Sequence, residues 1–449
     1  MDIAVIGGAG YVGLITAVGL AKLGHNVIGT DINSARIEML RKSISPIHEP
    51  GIEEALAETQ SLGTLNFTTD TELAVKNSNV VFLAVGTPPR HDGSTDLNQL
   101  RTAVTSMAKA LTPDTVLVIK STLPAGTLNV IKGLLAEAGG TNKIDFVINP
   151  EFLSEGNGLN DFFFPSRIVV GTESSRGAKI LREIFAPFTD GGSITTDILM
   201  SRNVPYIETD PVDAQLIKYA SNAFLATRVS FINEVAAICE QVGADIGKVA
   251  EGLGYDPRIG HRYLQAGIGF GGPCLEKDLS ALINTVNQDE YATGLLKAVL
   301  QRNDKQVLSV VNKVEHLLGT DLHNSTIGVL GLTFKPGTND LRNSLAIKVV
   351  KELHKRGAIV QSYDPVVKYE ILSEDPNVQP CDSAYSATEK ADALIILTGW
   401  KDFISLDYQK IYSNMSNPCI VDSHNLLDAE TMVDLGFKYV GVGARGYIT

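Results

Sequence analysis

Residues 3–31 read IAVIGGAGYVGLITAVGLAKLGHNVIGTD, and this run decides the fold. IAVIG is short, apolar and rich in β-branched residues, which predicts a buried strand. From Tyr11 the apolar residues recur at helical spacing, and Gly24 is placed as a C-terminal cap. NVIGTD predicts a second strand that ends at Asp31. Between the first strand and the helix lies G-A-G-Y-V-G, with Gly8, Gly10 and Gly13 enclosing Tyr11 and Val12. Glycines at this spacing permit a tight turn and let a pyrophosphate approach the amides of a helix N-terminus. An acid at the end of the second strand suits a ribose 2′-hydroxyl and repels a 2′-phosphate, which points to NAD rather than NADP. Arg36 is either a contact for the adenine edge or a solvated helix residue.

Further strands are predicted at VVFLAVG, TVLVIKS, FVINP and RIVVG, alternating with helices, as in a doubly wound parallel sheet. After Pro211 no proline or glycine interrupts the chain until Gly243, and apolar residues recur throughout. One long helix is predicted there, joining two domains and carrying a subunit contact. Then the opening repeats in disguise: STIGVLGLTF, LAIKVVKELHKRGAIVQSYDP and ADALIILTG follow the order strand, helix, strand, aspartate, strand. The second unit lacks the glycine fingerprint and is expected to bind something other than the same dinucleotide. The expected class is α/β, with two Rossmann-like doubly wound parallel sheet domains joined by a long central helix. The expected division is 1–203 for the NAD domain, 204–315 for a central helical dimerisation region and 316–449 for a C-terminal domain.

The chain's 449 residues exceed one core. Its 44% hydrophobic and 20% charged residues are those of a soluble enzyme. A net charge of −13 argues against nucleic acid or an anionic membrane as the main partner. No signal peptide is expected from the opening residues, and no apolar run is long enough for a membrane helix. Four scattered cysteines suit reduced thiols, so a cytoplasmic location is expected. The histidines lack ligand spacing, and no metal site is expected.

Three polar pairs stand four residues apart, a spacing that shares a face if the segment is helical. Glu151 and Glu155, in NPEFLSEG, follow a predicted strand at the ligand-binding edge of an open sheet. Two close carboxylates push one pKa up, which suits a general base; the alternative is a solvated turn. Lys218 and Asn222 lie in the long helix, where they could steady an oxyanion or be a snorkelling lysine and a surface amide. Cys274 and Asp278 follow the glycines of GIGFGGPCLEKD. Pro273 is expected at the first helical position, with Cys274 in the first turn, where the helix dipole favours a thiolate; the alternative is a small filler. A lysine, an amide and an NAD fold also suit a two-electron 3-hydroxyacid dehydrogenase. Adding a thiol allows four electrons: a primary alcohol becomes an aldehyde, the thiolate traps it as a thiohemiacetal, and a thioester follows that water cleaves to an acid. An NAD-binding redox sensor would need neither the Lys218/Asn222 nor the Glu151/Glu155 pair.

GAGYVGL, VGTPP, STLPAGT, NPEFLSEG, KYASNAFLATRVSFINE, GFGGPCLEKD and GLTFKPGTNDLRNS together resemble the UDP-glucose 6-dehydrogenase branch of the nucleotide-sugar dehydrogenases over nearly the whole chain. The resemblance implies oxidation of UDP-glucose to UDP-glucuronate with NAD, or of another nucleotide sugar such as a UDP-N-acetylated hexose, GDP-mannose or another glucose nucleotide, by a homodimer formed through the central helix. It makes Cys274 the nucleophile, with Lys218 and Asn222 at the C6 oxygen and Asp278 positioning the thiol or the water. Glu151 becomes the base for thioester hydrolysis, and Thr122 holds that water. Gly8, Gly10, Tyr11, Val12, Gly13, Asp31, Arg36, Thr87, Thr122, Glu155, Lys277 and Arg342 become cofactor contacts. Glu151, Phe152, Leu153, Lys218, Asn222, Tyr263, Gly271, Phe334 and Lys335 form the sugar-nucleotide cradle, and Arg258 reaches into a partner subunit's site.

The chain departs from that pattern at several points. Gly7 adds a glycine before the fingerprint. Pro273 stands where serine is usual, and Glu276 where the residue is usually proline or uncharged. His424, in DSHNLL, replaces an expected substrate-binding arginine, which leaves the sugar and the base open.

Overall fold

The computed structural model describes residues 1–141, 143–189, 203–286, 290–319, 321–367 and 378–443. The chain divides into two compact units, Met1–Ser221 and Asn222–Thr449. The division falls inside one uninterrupted helix, Pro211–Val242, the long helix that the proline- and glycine-free run predicts.

The first unit is an eight-stranded sheet, β1 (Asp2–Ile6), β2 (Asn26–Thr30), β3 (Leu65–Thr68), β4 (Val80–Leu83), β5 (Val116–Ile119), β6 (Asp145–Ile148), β7 (Ile168–Gly171) and β8 (Tyr206–Thr209). Its order is β3-β2-β1-β4-β5-β6-β7-β8. β1 to β6 are parallel, and β7 meets β6 antiparallel, so β7 and its parallel neighbour β8 reverse the direction that a wholly parallel reading predicts. The reversal follows from the connection: residues 149–167 form a loop and the short helix Gly158–Phe163, and return the chain to the same edge.

The fingerprint helix, Tyr11–Lys22, is buried from Gly13 to Ala21. Its two internal glycines each cost about 1 kcal/mol in helix propensity, whereas each buried Leu, Ile or Val gives about 1.5–3 kcal/mol. Packing therefore holds this helix, and the glycines are there for contact. A Cβ on Gly19 would strike the Phe162 ring at 2.3 Å. Gly24, with φ +89°, follows the last helical turn, as its reading as a cap requires.

The second unit has six parallel strands, β9 (Thr326–Leu330), β10 (Ile359–Tyr363), β11 (Gln379–Pro380), β12 (Ala393–Ile396), β13 (Cys419–Asp422) and β14 (Lys438–Val440). Their order is β11-β10-β9-β12-β13-β14. β9 lies between β10 and β12 as β1 lies between β2 and β4, so the repeat seen in the sequence is a repeat of topology. In each sheet the strand order reverses beside the first strand, which is where open α/β sheets bind ligands. No helix among the described residues is long and apolar enough to cross a membrane.

Candidate active site

In the first unit the candidate residues sit at the carboxyl ends of successive strands. After β1 the chain turns sharply at Gly7 (φ +84°), whose amide, like that of Gly8, donates to Thr30 O. Gly7, the added glycine, thus makes the tight turn. A Cβ on Gly13 would lie 2.1 Å from Gly7 O, so the helix can approach the turn only with glycine there. Gly10 caps the helix without any side-chain bond to the first-turn amides. That bare, glycine-walled N-terminus fits a pyrophosphate. Asp31 directly follows β2, is half-buried and accepts from the Asn33 amide at 2.9 Å. Arg36 is exposed, and its amide is capped by Asn33.

Tyr11 Oη lies 2.6 Å from Glu49 Oε2 and 2.9 Å from Ser154 O, tying the fingerprint to the FLSEG loop. Burial, with the neighbouring Glu49 and Glu155 charges, drives its hydroxyl far above the ordinary tyrosine range. At the ends of β4 and β5, Thr87 Oγ1 donates to Thr122 O at 3.0 Å, so these two candidates are neighbours.

After β6 comes a correction. Residues 149–156 are loop and turn, not helix, and Glu151 and Glu155 do not share a helical face. Glu151 instead pairs with Lys218, 67 residues away, at 2.9 Å, both groups being buried. Its second oxygen accepts from the Leu153 amide at 2.6 Å. Burial, the largest influence, pushes its pKa up, but the Lys218 ammonium, the Leu153 amide and the Lys120 charge together outweigh this, and the carboxyl lies below its ordinary value rather than above it. Phe152 is stacked by the Arg167 guanidinium, 3.7 Å from the ring centre, with Lys218 at 5.5 Å.

In the second unit the centre is Asp278, which is 1% exposed. Its Oδ2 accepts from Asn222 Nδ2 at 2.6 Å, and its Oδ1 meets Lys277 Nζ at 2.5 Å. Its amide donates to Cys274 O, one helical turn back. The helix begins at Leu275 with exposed Cys274 as its N-cap, so Pro273 precedes the cap instead of opening the helix, and the helix starts two positions later than expected. Lys218 and Asn222 lie one turn apart on the connecting helix, as their spacing predicts.

The glycine loop before Cys274 is held from several sides. Asn233 Oδ1 accepts from Gly267 N and Gln306 Nε2 donates to Gly267 O. Asn303 grips both backbone groups of Phe270. Asn343 O accepts from Gly272 N at 3.2 Å, and a Cβ on Gly271 would lie 2.7 Å from that same oxygen. Glu276, the unusual acid, accepts from Asn343 Nδ2 at 2.5 Å and pairs with Lys348 at 3.3 Å. Phe334 packs against Gly272, with Lys335 over its ring at 5.7 Å. His424 Nε2 lies 3.0 Å from Leu397 O, beside Gly267 and Gly399. Burial holds its pKa below the ordinary value. Arg258 and Arg342 are exposed and paired with Asp256 and Asp340. Tyr263 has φ +61°.

The sequence reading missed Lys120, Asn149, Asn233, Asn303, Gln306 and Asn343. Lys120 follows an apolar strand, and Asn303 and Gln306 are amides buried on a helix that also buries Val307, Val310, Val311 and Val314. That misfit was the available signal. Among the described residues no group of three or more His, Cys, Asp or Glu is placed to hold a metal.

Models of the UDP-glucose/GDP-mannose dehydrogenase family match three successive segments: the NAD binding domain at 1–189, the central domain at 212–305 and the UDP binding domain at 328–429. A UDP-glucose 6-dehydrogenase of Rickettsia bellii is 39% identical over 98% of both chains. The chain belongs to the UDP-glucose/GDP-mannose dehydrogenase family. It is an NAD-dependent nucleotide-sugar 6-dehydrogenase. A UDP-glucose 6-dehydrogenase of Bacillus subtilis is 40% identical, covering 100% of this chain and 99% of that protein. A UDP-glucose dehydrogenase structure from Pyrobaculum islandicum matches with a TM-score of 0.88 at 36% identity, over 98% of this chain and 97% of that one. A UDP-D-ManNAc dehydrogenase structure from Pyrococcus horikoshii matches with a TM-score of 0.86 at 28% identity, over 99% of both.

Proposed function

We propose that this family member oxidises the C6 hydroxyl of UDP-glucose to the carboxylate of UDP-glucuronate in two oxidation steps. The observation that carries the reading is buried Asp278, bridged by Asn222 and Lys277, one turn behind the exposed N-cap Cys274. Bound NAD supplies the hydride acceptor, two equivalents per sugar. Lys218 and Asn222 steady the C6 oxygen. Cys274 Sγ adds to the aldehyde carbon to give a thiohemiacetal, whose oxidation leaves a thioester. Glu151 then takes a proton from water held by Thr122, and water's oxygen displaces the sulfur. One water enters per sugar, and Cys274 is regenerated.

The relatives named UDP-glucose 6-dehydrogenase support UDP-glucose over the N-acetylated sugars, since they are more alike over the full length than the UDP-D-ManNAc enzyme. The cofactor contacts are Gly8, Gly10, Tyr11, Val12, Gly13, Asp31, Arg36, Thr87, Thr122, Glu155, Lys277 and Arg342. Phe152, Leu153, Tyr263, Gly271, Phe334 and Lys335 cradle the nucleotide sugar. The working division is 1–203, 204–315 and 316–449. A homodimer is supported by Phe224, Phe231, Ile238 and Val242, which stand exposed along one seam of the connecting helix; exposed Arg258 is then available to a partner's site. None of the four cysteines forms a disulfide, which suits the cytoplasm.

The test is stoichiometry. With limiting UDP-glucose and excess NAD, two NADH are expected per sugar, and one per sugar overturns the reading. Cys274→Ser should stall at a tightly held intermediate, and wild-type turnover in Cys274→Ala is equally fatal. Sedimentation as a monomer removes the dimer.

A further inference from the structure

The glycine loop that leads to Cys274 is held by side chains that none of the roles above uses. Asn233, on the helix Pro211–Val242, and Asn303 and Gln306, on the helix Glu290–Leu318, are 1%, 2% and 2% exposed. At Gly267 the amide donates to Asn233 Oδ1 at 2.8 Å, and the carbonyl accepts from Gln306 Nε2 at 2.6 Å. At Phe270 one side chain takes both groups: the amide donates to Asn303 Oδ1 at 2.8 Å, and the carbonyl accepts from Asn303 Nδ2 at 2.9 Å. Loops run over the surface, where water satisfies such groups. Here buried amides close them off, and a primary amide carries both the donor and the acceptor that this takes.

Gly271, Gly272 and Pro273 alone stand between Phe270 and Cys274, and none has room to absorb a shift. A Cβ on Gly271 would lie 2.7 Å from Asn343 O. Gly272 donates to that oxygen at 3.2 Å and faces the Phe334 ring. The ring of Pro273 fixes its φ. Beyond them the Asp278 amide holds Cys274 O. A displacement at Phe270 is therefore passed on to Cys274.

We propose that Asn233, Asn303 and Gln306 are positioning residues that set where Cys274 Sγ meets the aldehyde carbon. The proposal rests on the nucleophile role given to Cys274 above. Sγ enters after the first oxidation, so a clamp with this role governs the second hydride transfer and leaves the first alone. A clamp that only held the fold would lower both in proportion to the folded fraction.

The experiment is rapid-mixing kinetics of the full-length enzyme with saturating UDP-glucose and NAD, NADH being counted per active site. In Asn303→Ala the first NADH should form at the wild-type rate and the second about 100-fold more slowly, the loss that goes with a misplacement of about 1 Å. Gln306→Met, which frees only the Gly267 carbonyl, should show the same order with a smaller loss, and it serves if Asn303→Ala does not fold. Equal slowing of both NADH, or slowing of neither, overturns the proposal. Alkylation of Cys274 by iodoacetamide, followed by mass spectrometry of its peptide, needs no turnover. A sulfur displaced from the helix N-terminus is less readily a thiolate. The rate at neutral pH should fall about two- to fivefold, and an unchanged rate overturns the proposal too. Cys274→Ala, run in parallel, separates the two readings. If it forms both NADH as the wild type does, the nucleophile role falls, and the alkylation rate alone decides the clamp.

Discussion

The two units contain the same strand, turn, helix, strand and aspartate, and they use the aspartate differently. After β1, the Gly7 amide bonds to Thr30 O at 2.9 Å; after β9, the Gly331 amide bonds to Tyr363 O at 2.8 Å. Both glycines have positive φ, +84° and +87°. The acids that follow, Asp31 and Asp364, have diverged. Asp364 is buried; one oxygen accepts from the Leu332 and Thr333 amides, and the other from the Val366 and Val367 amides. Asp31 is half-buried and takes one amide, that of Asn33. The same residue at the same topological place is an internal brace in one repeat and is half-buried with a single amide partner in the other. Retention of the fold does not imply retention of the dinucleotide.

The largest effect should come from Asp364→Ala. Four amides, three of them on buried residues, lose their acceptor, and each unsatisfied donor costs about 1–3 kcal/mol. Even the low end, about 4 kcal/mol, is a large share of a domain's usual 5–15 kcal/mol. Calorimetry of the full chain should show the C-terminal unit melting far earlier or not folding. A wild-type melting profile would break the contrast.

Asp31→Ala should do the reverse. Water can replace the carboxylate at a half-buried amide, so the melting temperature should barely move. The KM for NAD should rise about tenfold, which corresponds to about 1.4 kcal/mol, and the preference over NADP should weaken because the repelling charge is gone. Steady-state kinetics with both cofactors checks this. A large loss of stability with unchanged KM would make Asp31 a brace like Asp364.

That contrast also marks what was legible in the sequence. The fingerprint, the connecting helix and the repeat are local patterns, carried by glycine spacing, the lack of helix breakers and apolar periodicity. The pairing of Lys218 and Asn222 on one face follows from the same geometry. β3, LNFT at a sheet edge, buries only Leu65 and Phe67, and β8, YIET, buries no residue fully; both are short, and no apolar run announces them. The 29-residue helix Glu290–Leu318 turns polar Asn303 and Gln306 inward, which blurs its apolar face. Glu151 was misread because spacing offered Glu155 as its partner, while the fold brings in Lys218 from 67 residues away. Local spacing gives the charges on one element; the partners that set their pKa come from others.

The smallest effect tests how the first repeat left its aspartate with a single amide partner. Asn33 caps the helix Ser34–Arg41, its side chain accepting from the Arg36 amide at 3.1 Å. In the second repeat Asp364 itself takes the amides that follow its strand. The first repeat thus gives the capping work to a separate residue two positions on. Asn33→Ala removes one cap, which costs about 1 kcal/mol, and urea unfolding should register a loss of that size. The backbone amide that Asp31 accepts from is unchanged by the substitution, so KM for NAD should stay at its wild-type value. A rise in KM would mean that the Asn33 side chain places Asp31, and that the two residues act as one unit instead of dividing the task.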